Sequence, residues 1–129
     1  MRQPLSKSFA HAFDGIIDTV CDERNIKIHL IMMVLVTIFG FIFHITYEEW
    51  LICLLLFALV ISLEIANTAI EAVVDLACPE IHPLAKKAKD CAAGAVLVAA
   101  FFAAVIGLMI FVPHVLKISS TIAFSILWK

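Results

Sequence analysis

Glu64, Asn67, Glu71 and Asp75 interrupt a run that is otherwise almost wholly apolar from Trp50 to Ala77. On an α-helix, at about 100° per residue, they fall at roughly 0°, 300°, 340° and 20°, a single arc of about 80°. Three carboxylates and an amide on one helix face are a concentrated set of oxygen ligands and proton acceptors. In an apolar setting such groups cost about 2.5–3.5 kcal/mol each at mid-span and less near an interface, so something must compensate them. The sequence offers three candidates: protons, lysines or a metal ion. Lys86, Lys87 and Lys89 could simply pair with the stripe. Proton or ion transport is a second possibility, because acidic residues in membrane spans mark ion paths. Metal-assisted chemistry on a nucleotide is the third, since Mg²⁺ binds through one or two carboxylates and completes its shell with substrate phosphates.

The elements that must hold this stripe follow from composition. The chain has 129 residues, of which 64% are hydrophobic, and a mean hydropathy of +1.08. That exceeds the roughly 45–50% apolar content of soluble domains and predicts an all-α integral membrane protein. Three runs are long enough to cross a hydrocarbon core of about 30 Å. They are 28–47, 50–77 and 91–112, the last closed by Pro113, with a tail over 114–129. The second run is about 42 Å long as a helix, so its last turns, which carry Glu71 and Asp75, belong in or beyond the headgroup zone. Ahead of the spans, Phe9, Phe13, Ile16, Ile17 and Val20 recur at helical spacing over 5–22 with Asp14, Asp18 and Asp22 opposite. This predicts an amphipathic surface helix, lying at the headgroup level or packed on its own bundle.

Charge placement sets the orientation. Arg2, Lys7, Arg24 and Lys27 precede the first span and Lys86, Lys87 and Lys89 lie between the second and third, leaving Lys117 and Lys129 after it. The positive-inside rule then puts the N-terminus and the second loop in the cytoplasm and the C-terminus outside. Among the acidic residues, Glu48 and Glu49 fall on the outer side and the rest on the side where ATP is available. The net charge of −2 excludes a nucleic-acid partner on electrostatic grounds. Cys21, Cys53, Cys78 and Cys91 form no CxxC pair and read as reduced, structural thiols. The polar N-terminus lacks the apolar core of a cleavable signal. Neither GxxxxGK[ST] nor GxGxxG occurs, so a phosphate site has to be built from helix side chains. Glu23, on the apolar side of the surface helix at about 320° from Phe9, could join it, unless the helix frays at Asp22. Ala95, Ala99, Ala103 and Gly107, four apart, make a groove for close helix approach and suggest an oligomer.

Four segments together resemble the prokaryotic diacylglycerol kinase family: E-R-N at 23–25, L-E-I-A-N-T-A-I-E-A-V-V-D at 63–75, H-P-L-A-K-K-A-K-D at 82–90 and A-A-G-A-V at 92–96. The resemblance covers about 6–113, and the forms E-R-N, H-P-L-A-K and A-A-G-A-V look like the Gram-positive branch, whose members act as undecaprenol kinases. It implies a homotrimer of three-helix subunits with an N-terminal surface helix and active sites shared between neighbours. By the same resemblance Glu64 is the general base for a lipid hydroxyl, and Asn67 supports Glu23 and Glu71, which hold the Mg²⁺ bridging the ATP phosphates. Asp75, Glu80, His82, Lys89 and Asp90 line the nucleotide site, and His11 touches it from the surface helix. Where relatives carry an arginine near the start of that helix this chain has Pro4, with Arg2 and Lys7 as stand-ins. The order along the stripe then matches acceptor, transferred phosphoryl and donor, because Glu64 lies nearest the membrane and Asp75 nearest water.

Overall fold

The computed structural model describes the backbone of residues 4–127 and the side chains of residues 4–118, so Arg2 and the side chains of most of the tail lie outside the described residues. Four helices follow in order: α1 (Leu5–Asp22), α2 (Arg24–Phe43), α3 (Tyr47–Ala77) and α4 (Pro83–Leu127). Three of them are long and apolar enough to cross a membrane, over Arg24–Phe43, Tyr47–Ala77 and Pro83–Ile118.

The helix ends differ from those expected of the sequence, each for a local reason. α2 starts at Arg24 and stops at Phe43, four residues short of the expected end. His44 takes a left-handed conformation (φ 52°, ψ 51°), and the N–H of Ile45 donates to the Gly40 carbonyl while that of His44 donates to Phe41. This is a Schellman termination, usually reserved for glycine at the left-handed position. Here the His44 ring helps hold it, with Nδ1 2.7 Å from the Phe41 carbonyl oxygen. α3 begins at Tyr47, three residues before the expected start, so Glu48 and Glu49 belong to its first turn. Thr46 and Glu49 form a reciprocal capping box: the Thr46 N–H donates to Glu49 Oε2 at 2.7 Å and the Glu49 N–H to Thr46 Oγ1 at 3.3 Å.

α4 departs furthest. It begins at Pro83, where the missing N–H costs nothing, and it takes in the charged stretch that the sequence suggests as a loop. It also runs on through Pro113, so that proline does not end the helix. Proline removes one backbone bond, but ending a helix in an apolar medium would orphan several more, so continuation is the cheaper outcome.

α3 and α4 form the most extensive helix–helix contact, with α2 laid against them. The core is small: Ile45, Cys53 and Ile110 are buried, with Val36, Phe43, Trp50, Phe57, Ile106 and Phe111 packed around them. Much of the remaining apolar surface, including Val34, Leu55, Leu97, Phe101 and Met109, faces outward, as in a protein solvated by hydrocarbon. On α1, Phe9 (66% exposed) and Phe13 (63%) are not covered by the rest of the chain. Of the small residues on α4, Ala99 is buried and Ala95 exposed, so the stripe is only partly used within the chain.

Gly40 lies at a close approach between α2 and α3. A Cβ there would lie 2.7 Å from Cη2 and Cζ2 of Trp50 and 3.2 Å from Cδ1 of Ile45, and the Trp50 ring is already packed on Phe41 with centroids 5.0 Å apart. Gly40→Ala is therefore expected to cost about 1–3 kcal/mol by overpacking. Denaturant unfolding in detergent, followed by Trp fluorescence, checks this; an unchanged midpoint would show that the indole yields freely.

Candidate active site

The stripe on α3 faces a cleft of about 580 Å³ between α2, α3 and α4. α3 contributes Glu64, Asn67 and Glu71, α2 contributes Asn25, Ile28 and His29, and α4 contributes Asp90, Gly94 and a set of small or aliphatic residues down to Ala100. Exposure rises along the stripe: Glu64 is 3% exposed and Asn67 9%, Glu71 is half-buried and Asp75 exposed. A carboxylate as buried as Glu64 needs a partner, and His29 provides one, with its Nε2 3.0 Å from Glu64 Oε1.

One turn on, Asn67 Nδ2 donates to Glu71 Oε1 at 3.0 Å. Asn67 Oδ1 is buried with no hydrogen-bond partner among the described residues. An orphaned buried acceptor costs about 1–3 kcal/mol, and an amide carbonyl oxygen beside a carboxylate is a donor type that hard cations take. Among the described residues no group of three or more His, Cys, Asp and Glu side chains gathers to hold a metal alone. A divalent ion at Asn67 and Glu71 would need most of its ligands from elsewhere, which is the usual state of Mg²⁺ bound with phosphates.

A second cleft, of about 400 Å³, opens where α3 meets α4 and is lined by Asp75, Glu80, His82, Lys86, Lys89 and Asp90 together with Cys78 and its neighbours. Lys89 Nζ donates to both oxygens of Asp75, each at 3.0 Å, and Lys86 pairs with Asp90. His82 also starts α4: its Nδ1 accepts the Leu84 N–H at 3.2 Å, the bond of an N-cap. Asp90 borders both clefts. The lysine pairs account for Asp75 but form no salt bridge with Glu64 or Glu71, so simple charge neutralisation by Lys86, Lys87 and Lys89 does not explain the stripe.

Two site residues expected from the sequence line neither cleft. α1 ends at Asp22, which puts Glu23 in an extended link (φ −89°, ψ 129°), half-buried. His11 is exposed, with Nδ1 3.9 Å from Asp14 Oδ2. Two polar lining residues, Asn25 and His29, are not among those expected from the sequence. His29 does carry a signal there, as an ionisable group within an apolar span, where such residues are functional by default.

A family model of prokaryotic diacylglycerol kinase matches residues 10–111. An undecaprenol kinase of Bacillus subtilis is 50% identical over 107 residues, covering 83% of this chain and 87% of that protein. A diacylglycerol kinase of Synechocystis is 39% identical over 88% of this chain and 66% of its own length. One of Helicobacter pylori is 31% identical over 76% of this chain and 77% of its own. With the match extending from α1 to α4 and including every residue of the first cleft, the chain belongs to the prokaryotic diacylglycerol kinase family.

Proposed function

We propose that this protein is a lipid kinase of the bacterial plasma membrane that transfers the γ-phosphoryl group of ATP to the hydroxyl of a membrane alcohol. One arrangement carries the proposal: the α3 stripe leads from a buried carboxylate, Glu64, to an exposed one, Asp75, clasped by a lysine, with Asp90 bordering both clefts. Undecaprenol is the first acceptor, on the strength of the 50% identical undecaprenol kinase, and diacylglycerol the second, on the more distant relatives.

Glu64 takes the proton of the lipid hydroxyl as that oxygen bonds to the γ-phosphorus and the bridging P–O bond to ADP breaks. A lipid alcohol is far less acidic than a carboxylic acid, so Glu64 acts by proximity and as the proton comes off in the transition state. Glu71 and Glu23 would hold Mg²⁺, with Asn67 supporting through its orphaned Oδ1. When bound, the ion supplies neutralisation of the charge on the phosphates. Asp75, Glu80, His82, Lys89 and Asp90 form the nucleotide side, and His11, which lines neither cleft of its own chain, would reach a nucleotide only at another subunit's site. Lys7 is the described candidate for the role of the arginine that relatives carry where this chain has Pro4.

The uncovered Phe9 and Phe13 support α1 lying at the membrane surface, and the placement of lysine and arginine supports a cytoplasmic N-terminus and α3–α4 link with the C-terminus outside. In the homotrimer that the family resemblance implies, Glu23, which lines neither cleft of its own chain, would complete a neighbouring subunit's site. The purified protein in liposomes with ATP, Mg²⁺ and either alcohol tests the function. Phosphorylated undecaprenol formed faster than phosphatidic acid is the expected result, and no phosphorylated lipid from either alcohol would overturn it.

A further inference from the structure

His29 is the one ionisable side chain that meets Glu64 from another helix among the described contacts, and the proposed mechanism gives it no task. It lies on the second turn of α2, its side chain 23% exposed against 4% for Glu64, and both line the first cleft. A ring nitrogen 3.0 Å from a carboxylate oxygen is a close polar contact, and an ion pair when the ring is protonated. A glutamate carboxylate rotates broadly about its last torsion, and a polar partner fixed beside Oε1 is enough to select an orientation and leave Oε2 for a second partner.

We propose, resting on Glu64 as the base, that His29 is a positioning residue. Its ring, with Nε2 3.0 Å from Glu64 Oε1, orients the carboxylate so that Oε2 meets the hydroxyl of the lipid alcohol. Three observations distinguish this role from simple packing. His29 sits on a different helix from its partner, so the contact defines the α2–α3 register at the cleft. A leucine or phenylalanine would fill the same apolar position at lower cost in a membrane. The contact is made to the most buried carboxylate of the stripe, whereas Asp75 at the exposed end is held by a lysine. A residue that acts on the base alone should change turnover and leave nucleotide affinity as it was, since Asp75 and Lys89 belong to the second cleft and Glu64 to the first.

The test uses the full chain in liposomes, with His29→Phe, His29→Leu and His29→Gln alone and His29→Phe combined with Glu64→Gln. The two donor-free variants are expected to lose about 10–100-fold in kcat with KM for ATP unchanged, the cost of a misplaced catalytic group. His29→Gln, which keeps an N–H donor, should recover most of the loss. In the Glu64→Gln background His29→Phe should cause no further loss of the residual turnover, because residues that act as a unit are not additive. Wild-type kcat in both donor-free variants, equal losses for Gln and Phe, or full additivity in the double variant would each overturn the positioning role. Normal turnover in Glu64→Gln alone overturns instead the assignment of the base, so the two failures are told apart.

Discussion

Glu64→Gln is expected to lower kcat about 10²–10⁴-fold, the usual contribution of a general base, while ATP binding stays measurable with unchanged affinity. The substitution is close to isosteric. Glutamine keeps an oxygen where Glu64 Oε1 now lies 3.0 Å from His29 Nε2, so the α2–α3 contact is preserved in shape. The amide nitrogen cannot take a proton. The variant removes a carboxyl group that is costly to bury in an apolar site, and its unfolding is measured beside its turnover. Loss of turnover with intact unfolding behaviour therefore reports chemistry, and single-turnover kinetics would place the loss in phosphoryl transfer. Near-normal turnover would remove Glu64 as the base and leave Glu71, on the same cleft, as the next carboxylate to test.

Lys89→Met should act at the other end of the stripe and on the other kinetic parameter. Lys89 holds Asp75 with two 3.0 Å bonds, but the pair is open to water, with Asp75 66% exposed. Exposed ion pairs contribute about 0–1 kcal/mol, so the fold should barely register the change. A lysine on phosphate makes a charge-assisted bond of about 1.5–3 kcal/mol, which converts to about a 10–100-fold rise in KM for ATP. The expected pattern is a raised KM with nearly unchanged melting behaviour. An unaltered KM would mean that Lys89 serves only to hold Asp75 and tie α4 to α3.

Local physics left its mark on the sequence wherever a feature depends on one stretch of chain. Periodicity alone puts Glu64, Asn67, Glu71 and Asp75 on one face, because 3.6 residues per turn need no tertiary information. Apolar length alone marks three helices as spans. The motifs at 63–75 and 82–90 are each contiguous in the chain, so the resemblance they carry is legible from residue order alone. Thr46 and Glu49 stand at capping-box spacing as well, although the composition of the turn draws attention to its charge instead.

Other features depend on what surrounds a residue. The left-handed turn at His44 follows from the packing of α2 against α3 and from a ring nitrogen that reaches the Phe41 carbonyl, neither of which is visible in residue type. Pro113 would end a helix in water but does not here, because the surrounding medium sets the cost of the backbone groups that a break would expose. The displacement of Glu23 from its own chain's clefts turns on where α1 stops, a difference of one residue. The partner of Glu64 comes from a different span, His29 on α2, since a buried carboxylate is compensated by whichever polar group the fold brings near and not by its neighbours in sequence. Sequence thus determined which residues share a helix face and in what order, through local geometry; tertiary packing decided which helix supplies each partner and how deeply each group is buried.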